Sequence, residues 1–363
     1  MRAQSDCDPL VDGRARFPIS YWELTDFCLT SVDLSEIISG GPPPDGIPPI
    51  DNPQFETIEQ ASSWLEDRSP VIALEVDGDA RAYPLAILTW HEIVNDEVGG
   101  VPVAVTFCPL CNAGLVFERT VSGEVLRFGV SGLLRNSDMI MWDDATQSFW
   151  QQLTGEGIVG AFTGTRLAER PSTMTSFGAF AARYPDGTVL SRETGVFRDY
   201  GRNPYTGYDS STVPFLYSGD LDDRLPPMAR VLGFRLGQSA VAYDLDTLAE
   251  VFVINDDVEG IPVAAFWQPG VASALDATAI DDSRDVGMAA LYDRQVGDTV
   301  LTFTAGENGA ITDEQTGSTW DFFGTATSGE LAGTQLNQLL AAPHFWFAWS
   351  AFFPETTLYT LVE

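Results

Sequence analysis

The stretch VNDEVGGVPVA at residues 94–104 returns as INDDVEGIPVA at residues 254–264. It has company on both sides. AYPLAIL (82–88) matches AYDLDTL (242–248), and VFERTVSGEVLRF (116–128) resembles LYDRQVGDTVLTF (291–303). DDATQSFW (143–150) resembles DEQTGSTW (313–320), and FGAFAARYPDGTVL (177–190) resembles FWFAWSAFFPETTLY (345–359). Five blocks in one order make chance a poor explanation, and self-similarity of this kind organises a fold before any single element does. The chain therefore reads as two copies of one module, residues 65–191 and 228–363.

Each copy reads as mostly β. VIALEV and ARAYPL flank Asp77-Gly78-Asp79, a hairpin signal. VPVAVTF is a β-branched run suited to a buried strand, and GLVFERTV and EVLRFGV form a second hairpin across Ser122-Gly123. One helix per copy is expected, in TSFGAFAARYP and HFWFAWSAFFP, each ended by a proline. The expected fold is mainly β, a β-rich α+β chain of two pseudo-symmetric tandem modules, barrel- or sandwich-like, with one short helix each.

Residues 1–64 form an N-terminal extension that closes with a Pro/Gly linker, SGGPPPDGIPPIDNP (39–53). Residues 192–227 join the copies. They carry VFRDYGRNPYTGYD, too rich in arginine and tyrosine for a plain linker. Two readings stay open for this segment: a functional stretch, or a strap that packs its tyrosines onto both modules.

Composition excludes several functions. The 363 residues hold 52 Asp+Glu against 19 Lys+Arg, a formal charge of −33, and none of the basic residues is lysine. Such a field repels nucleic acid and anionic membrane surfaces. Without lysine there is no P-loop lysine, no Schiff base and no pyridoxal phosphate chemistry. No dinucleotide fingerprint, serine-hydrolase elbow or twelve-residue calcium loop appears, so no nucleotide cofactor is expected. No apolar run is long enough to span a bilayer. The acidity fits a halophile-like surface or an exported protein. MRAQSDCDPL lacks the apolar core of a signal peptide, so the favoured reading is an extracytoplasmic protein whose leader lies outside this numbering, with a cytoplasmic one as the alternative.

The chemistry concentrates in TFCPLCNAGLVF, where Cys108 and Cys111 stand at C-x-x-C spacing. A redox pair of the thioredoxin kind opens a helix; this pair lies between strands, as a metal knuckle does. A closed structural zinc site needs four ligands, and only one knuckle is present. The other soft ligands in the chain are Cys7, Cys28 and the only two histidines, His91 and His344. Cys7 and Cys28 admit two readings, a disulfide or two separate thiols. His91 precedes the hairpin that delivers Cys108, which returns it toward the pair. His344 reaches the pair only through packing of the two copies. The second copy carries Gln268 where the first has Cys108, Val251 in place of His91, and an insertion over 272–286 where the first has the knuckle. A group that the module can lose is functional rather than structural. The expected metal ligands are Cys108, Cys111, His91 and His344, with copper or zinc best suited to them and iron next. Glu92, Asn95, Asn112, Arg135, Asn136, Asp138, Gln152, Glu156, Arg198, Asp199, Tyr200 and Arg202 are candidates for the walls of the site. For Arg135-Asn136-Ser137-Asp138 ordinary turn chemistry is an equal reading.

TWHEIVND, TFCPLCNAGLVF, SGLLRNSDMIMWDDATQSFWQQLTGEGI, RDYGRNPYTGYD and PHFWFAW together resemble a prokaryotic family known mainly as a domain of unknown function. Its members look like secreted or membrane-anchored proteins of bacteria and archaea. The resemblance covers the chain beyond residue 40. It implies that His91, Cys108, Cys111 and His344 belong to the family's motifs, and it implies no activity. The favoured function is a metal-binding protein, with metal-dependent oxidoreductase activity as its catalytic form. The alternatives are a thiol–disulfide redox protein using the same pair and a non-catalytic cell-surface binding or structural module. The expected partner is a small molecule or a protein.

Overall fold

Asp77 and Gly78 both have positive φ (50° and 86°), the geometry of a two-residue type I′ turn. Strands Pro70–Val76 and Asp79–Pro84 accordingly pair antiparallel from Val76↔Asp79 to Val71↔Pro84. The computed structural model describes residues 13–306 and 309–361. In its second half Arg230–Leu236 and Ser239–Asp244 make the same hairpin. Each hairpin gains one antiparallel and one parallel neighbour from far along the chain. These are Thr173–Ser176 and Thr188–Leu190 in the first half, Ala341–Phe345 and Thr357–Leu358 in the second.

A second sheet of each half runs as a meander. In the first half it is Ile93–Val98, Val101–Cys108 and Ala113–Glu118, and in the second Val253–Val258, Ile261–Gln268 and Met288–Asp293. A third four-stranded meander follows in both, beginning at Phe128 and at Phe303. The architecture is mainly β and sandwich-like, with no closed barrel among the described residues. None of the described helices is long and apolar enough to cross a membrane.

The expected helices form at Phe177–Arg183 and Trp346–Phe352. The expectation of one per copy falls short: Leu85–His91 and Leu245–Val251 give each half another. In the first of these Leu85, Ile87, Leu88, Thr89 and His91 are all buried. Burial on most faces leaves no helical stripe, so the segment reads as a continuation of the strand before it.

The polar residues shared by the repeats hold the fold. Asn95 accepts from the Phe128 amide at 2.9 Å and donates to its carbonyl at 2.8 Å; Asn255 treats Phe303 alike, at 2.8 Å for both bonds. Asp143 accepts from the Trp150 indole at 2.9 Å and from Thr146 and Ser148. Asp313 does the same with Trp320 at 3.0 Å, Thr316 and Ser318.

The halves cover each other reciprocally. Thr173–Ser176 of the first packs on Met288–Asp293 of the second, and Ala341–Phe345 of the second packs on Ala113–Glu118 of the first. The largest core therefore includes Met228, Leu275, Ala342, Phe345 and Phe347 alongside first-half residues. The N-terminal extension is built in as well. Phe17, Trp22, Leu34 and Ile37 are buried against Leu133, Ile140 and Phe149. The Pro/Gly stretch carries no strand past Ser39, yet its Ile50 amide donates to Ile93 O at 2.9 Å.

Asn95 is thus a clamp of the fold. Asn95→Ala strands a buried amide and carbonyl and is expected to cost about 1–3 kcal/mol in urea unfolding, with the half-buried Asn255→Ala costing about 1 kcal/mol. An Asn95→Ala protein as stable as the wild type would contradict this assignment.

Candidate metal centre

Strand Val101–Cys108 ends on the first cysteine, and Pro109 turns the chain with its fixed φ. The Cys111 amide donates to Cys108 O at 3.2 Å, and Asn112, at φ 51°, releases the chain into Ala113–Glu118. Opposite lies the hairpin of Phe128–Arg135 and Asp138–Asp143. Its two-residue turn, Asn136-Ser137, has φ of 53° and 65°, again type I′. The turn reading of Asn136 and Ser137 therefore holds. The next residue, Asp138, points inward. One carboxylate oxygen of Asp138 and the two cysteine sulfurs all lie within 4.8 Å of one another, and all three residues are buried. The sulfurs also face Ser137 O, at 3.6 Å from Cys111 and 4.0 Å from Cys108.

The surroundings are short of donors. Asp138 Oδ2 accepts from Gln151 Nε2 at 2.6 Å and from the Leu153 amide at 2.9 Å. Asp138 Oδ1, Gln151 Oε1 and Gln152 Oε1 are buried without a hydrogen bond. Gln152 Nε2 donates to Thr106 Oγ1 at 2.8 Å and to Ala113 O at 3.2 Å. Burial pushes both thiols up from their ordinary ionisation range, and Asp138 up to about 6 against the hydrogen bonds that favour its charge. Each orphaned buried acceptor costs about 1–3 kcal/mol. A cation held by this group would pair the Asp138 carboxylate and ionise the thiols. Two thiolates and a carboxylate are a fitting donor set for zinc, copper or iron.

The histidines lie elsewhere. His91 Nδ1 donates to Pro48 O at 2.6 Å, and Nε2 accepts from the Tyr200 hydroxyl at 2.7 Å. Both ring nitrogens are engaged, and burial lowers the pKa of the ring. His344 is buried and stacked on Trp349 at 5.1 Å, and burial lowers its pKa to about 3. It lines a small separate cavity of about 90 Å³ with Glu169. Neither belongs to the Cys108–Cys111–Asp138 group. The hairpin does return the chain to the cysteines, but one residue later: the Phe107 amide donates to Glu92 O at 2.8 Å. Glu92 (φ 59°) is only 7 % exposed, and burial pushes its carboxyl up to about 8.

The other wall candidates divide. Tyr200 ties the connecting strap to His91, and Gln152 stands beside the cysteine turn. Arg135 pairs with Glu36 at 2.7 Å on the surface, and Glu156 lies 3.6 Å from Arg166. Asp199 and Arg202 are exposed, and Arg198 bonds the neighbouring Phe197 carbonyl. Cys7 lies outside the described residues, so the proposed pairing with Cys28 does too. Three residues were missed: Thr106, Tyr205 and Tyr208. Tyrosine density along the strap was the sequence signal for Tyr205 and Tyr208; Thr106, inside the strand that ends on Cys108, gave none.

A cavity of about 550 Å³ adjoins the centre. Leu110, between the cysteines, and Met139, beside Asp138, form one wall; the Pro/Gly stretch and the strap form the others. Tyr208 donates to Leu110 O at 3.0 Å, and the Tyr205 hydroxyl lies 3.5 Å from Glu92 Oε1. The second half's insertion holds the strap in place: Asn203 N donates to Thr278 O at 2.8 Å, and Asp209 is bonded by Ser273 and Arg230.

Fold and centre together define a duplicated, sandwich-like β protein with a buried cysteine–carboxylate group able to hold a metal ion. The chain belongs to the family described as protein of unknown function, DUF3179, whose model matches residues 44–356. No curated protein and no solved structure matches it.

Because folding raises the Glu92 pKa, the folded chain holds this proton more tightly than the unfolded one. The stability it contributes is present below the ordinary value of 4.5 and is lost as pH rises toward about 8. In metal-free protein, wild type should lose on the order of 4 kcal/mol relative to Glu92→Gln across that window. A stability difference that stays flat with pH would contradict the placement of Glu92.

Proposed function

We propose that this protein binds one transition metal ion through Cys108 Sγ, Cys111 Sγ and the Asp138 carboxylate, and that the metal acts on a small molecule held in the adjoining cavity. One observation carries the reading: two thiols and a carboxylate converge in the core, and the free Oδ1 of that carboxylate and the amide oxygens of Gln151 and Gln152 are buried without a hydrogen bond. Three protein ligands leave a position open, as catalytic and electron-transfer centres do and closed structural sites do not. Copper and zinc suit the thiolates best, and iron follows. Copper or iron would supply electron transfer and make the protein an oxidoreductase; zinc would supply a Lewis acid. The thiol–disulfide reading is opposed by the burial of both thiols, which raises rather than lowers their pKa, and by their setting between strands.

Purification without added metal, followed by elemental analysis and an absorption spectrum, tests this. About one equivalent is expected in the wild type and less than about a tenth in Cys108→Ser, Cys111→Ser and Asp138→Asn. Asn95→Ala serves as a folding control that keeps its metal. Wild-type protein holding less than about a tenth of an equivalent, and gaining none from copper, zinc or iron, would overturn the proposal.

A further inference from the structure

The cavity beside the centre has a particular chemistry. Its lining is apolar and aromatic, with Ile47, Leu133, Met139, Tyr205, Tyr208 and Phe215 among the walls. Among the described residues Glu92 is the only ionisable side chain there apart from the two tyrosine phenols. Its carboxyl has no ion pair among the described residues, and its one side-chain hydrogen bond is the long 3.5 Å contact from Tyr205. The fold does not require a carboxylate at this point. The second half places Phe252 there with the same backbone (φ 62° against 59°), half-buried and edge-on to Trp267 at 5.5 Å. The first half thus keeps an unpaired acid where its counterpart keeps an aromatic ring. An acid at the edge of an aromatic-walled pocket is complementary to a cation with an apolar body: the carboxylate supplies the counter-charge, and ring faces attract the same charge. The chain's charge of −33 concentrates cations at its surface and repels anions.

We propose that this cavity takes an organic ammonium ion with an apolar body, with Glu92 as its counter-ion and Tyr205 and Tyr208 among its walls. The proposal rests on the cavity being the ligand site of the function given above, and it does not depend on which metal is bound. The size of the cavity suits a small molecule.

Titration calorimetry at about pH 9, where Glu92 is ionised and an alkylammonium keeps its proton, tests it with three probes of one shape: 2-phenylethylamine, 2-phenylethanol and phenylacetate. The amine should bind at least about tenfold more tightly than the alcohol, and phenylacetate should not bind measurably. Glu92→Gln should remove that preference while leaving the alcohol's affinity within about twofold, which shows that the pocket is intact. Cys108→Ser, assayed for metal in the same samples, separates the two proposals: amine binding without metal supports this one whether or not the metal reading survives. Equal affinity for amine and alcohol, tighter binding of phenylacetate, or an unchanged preference in Glu92→Gln would overturn it.

Discussion

The amide of Phe345 donates to the carbonyl of Cys111 at 2.8 Å, and much of the molecule depends on that contact between its two halves. The strand that carries it, Ala341–Phe345, belongs to the second half and covers Ala113–Glu118 of the first. The tight turn holding the cysteines is thereby pinned from outside its own module. The two thiols and the carboxylate beside that turn are buried, and burial pushes all three up from their ordinary ionisation range. The second half further supplies the insertion that grips the strap, and the strap closes the cavity. One copy carries the cysteine–carboxylate group while the other helps to cover it.

Duplication separates structural polarity from functional polarity. Asn95 and Asn255, or Asp143 and Asp313, recur because each satisfies backbone that either copy must bury. Thr106 and Gln152 form a buried hydrogen bond in the first half, where the corresponding second-half residues, Phe266 and Phe322, pack in an apolar core. Cys108 answers to Gln268 and Glu92 to Phe252. A module that folds with phenylalanine in place of Thr106, Gln152 and Glu92 has no structural need for polar groups there, and polar groups in a core carry a cost.

Most of the fold was legible in the sequence because its repeats preserve the turns and clamps that specify strands. Asp77-Gly78 announced a hairpin, and the five matched blocks announced two of everything. The helix Leu85–His91 was not legible, because a short helix buried on most faces shows no amphipathic period. The cysteine pair was legible from spacing alone. The third member of the group, Asp138, was legible only as a wall candidate, not as a ligand: it follows a good turn sequence, and turn chemistry reads alike whether the next carboxylate meets water or two sulfurs. The attraction of His91 came from the scarcity of histidine. The hairpin does approach the cysteines, but the positive φ at residue 92 sends Glu92 toward the cavity and leaves His91 bonded to Pro48 and Tyr200.

The central claim is a centre of two sulfurs and a carboxylate rather than one completed by histidine. X-ray absorption at the metal edge of natively purified protein addresses it most directly. The account predicts a shell of two sulfurs at about 2.3 Å with light oxygen scatterers and no imidazole multiple-scattering pattern. A spectrum dominated by imidazole, or one without a sulfur shell, would contradict it.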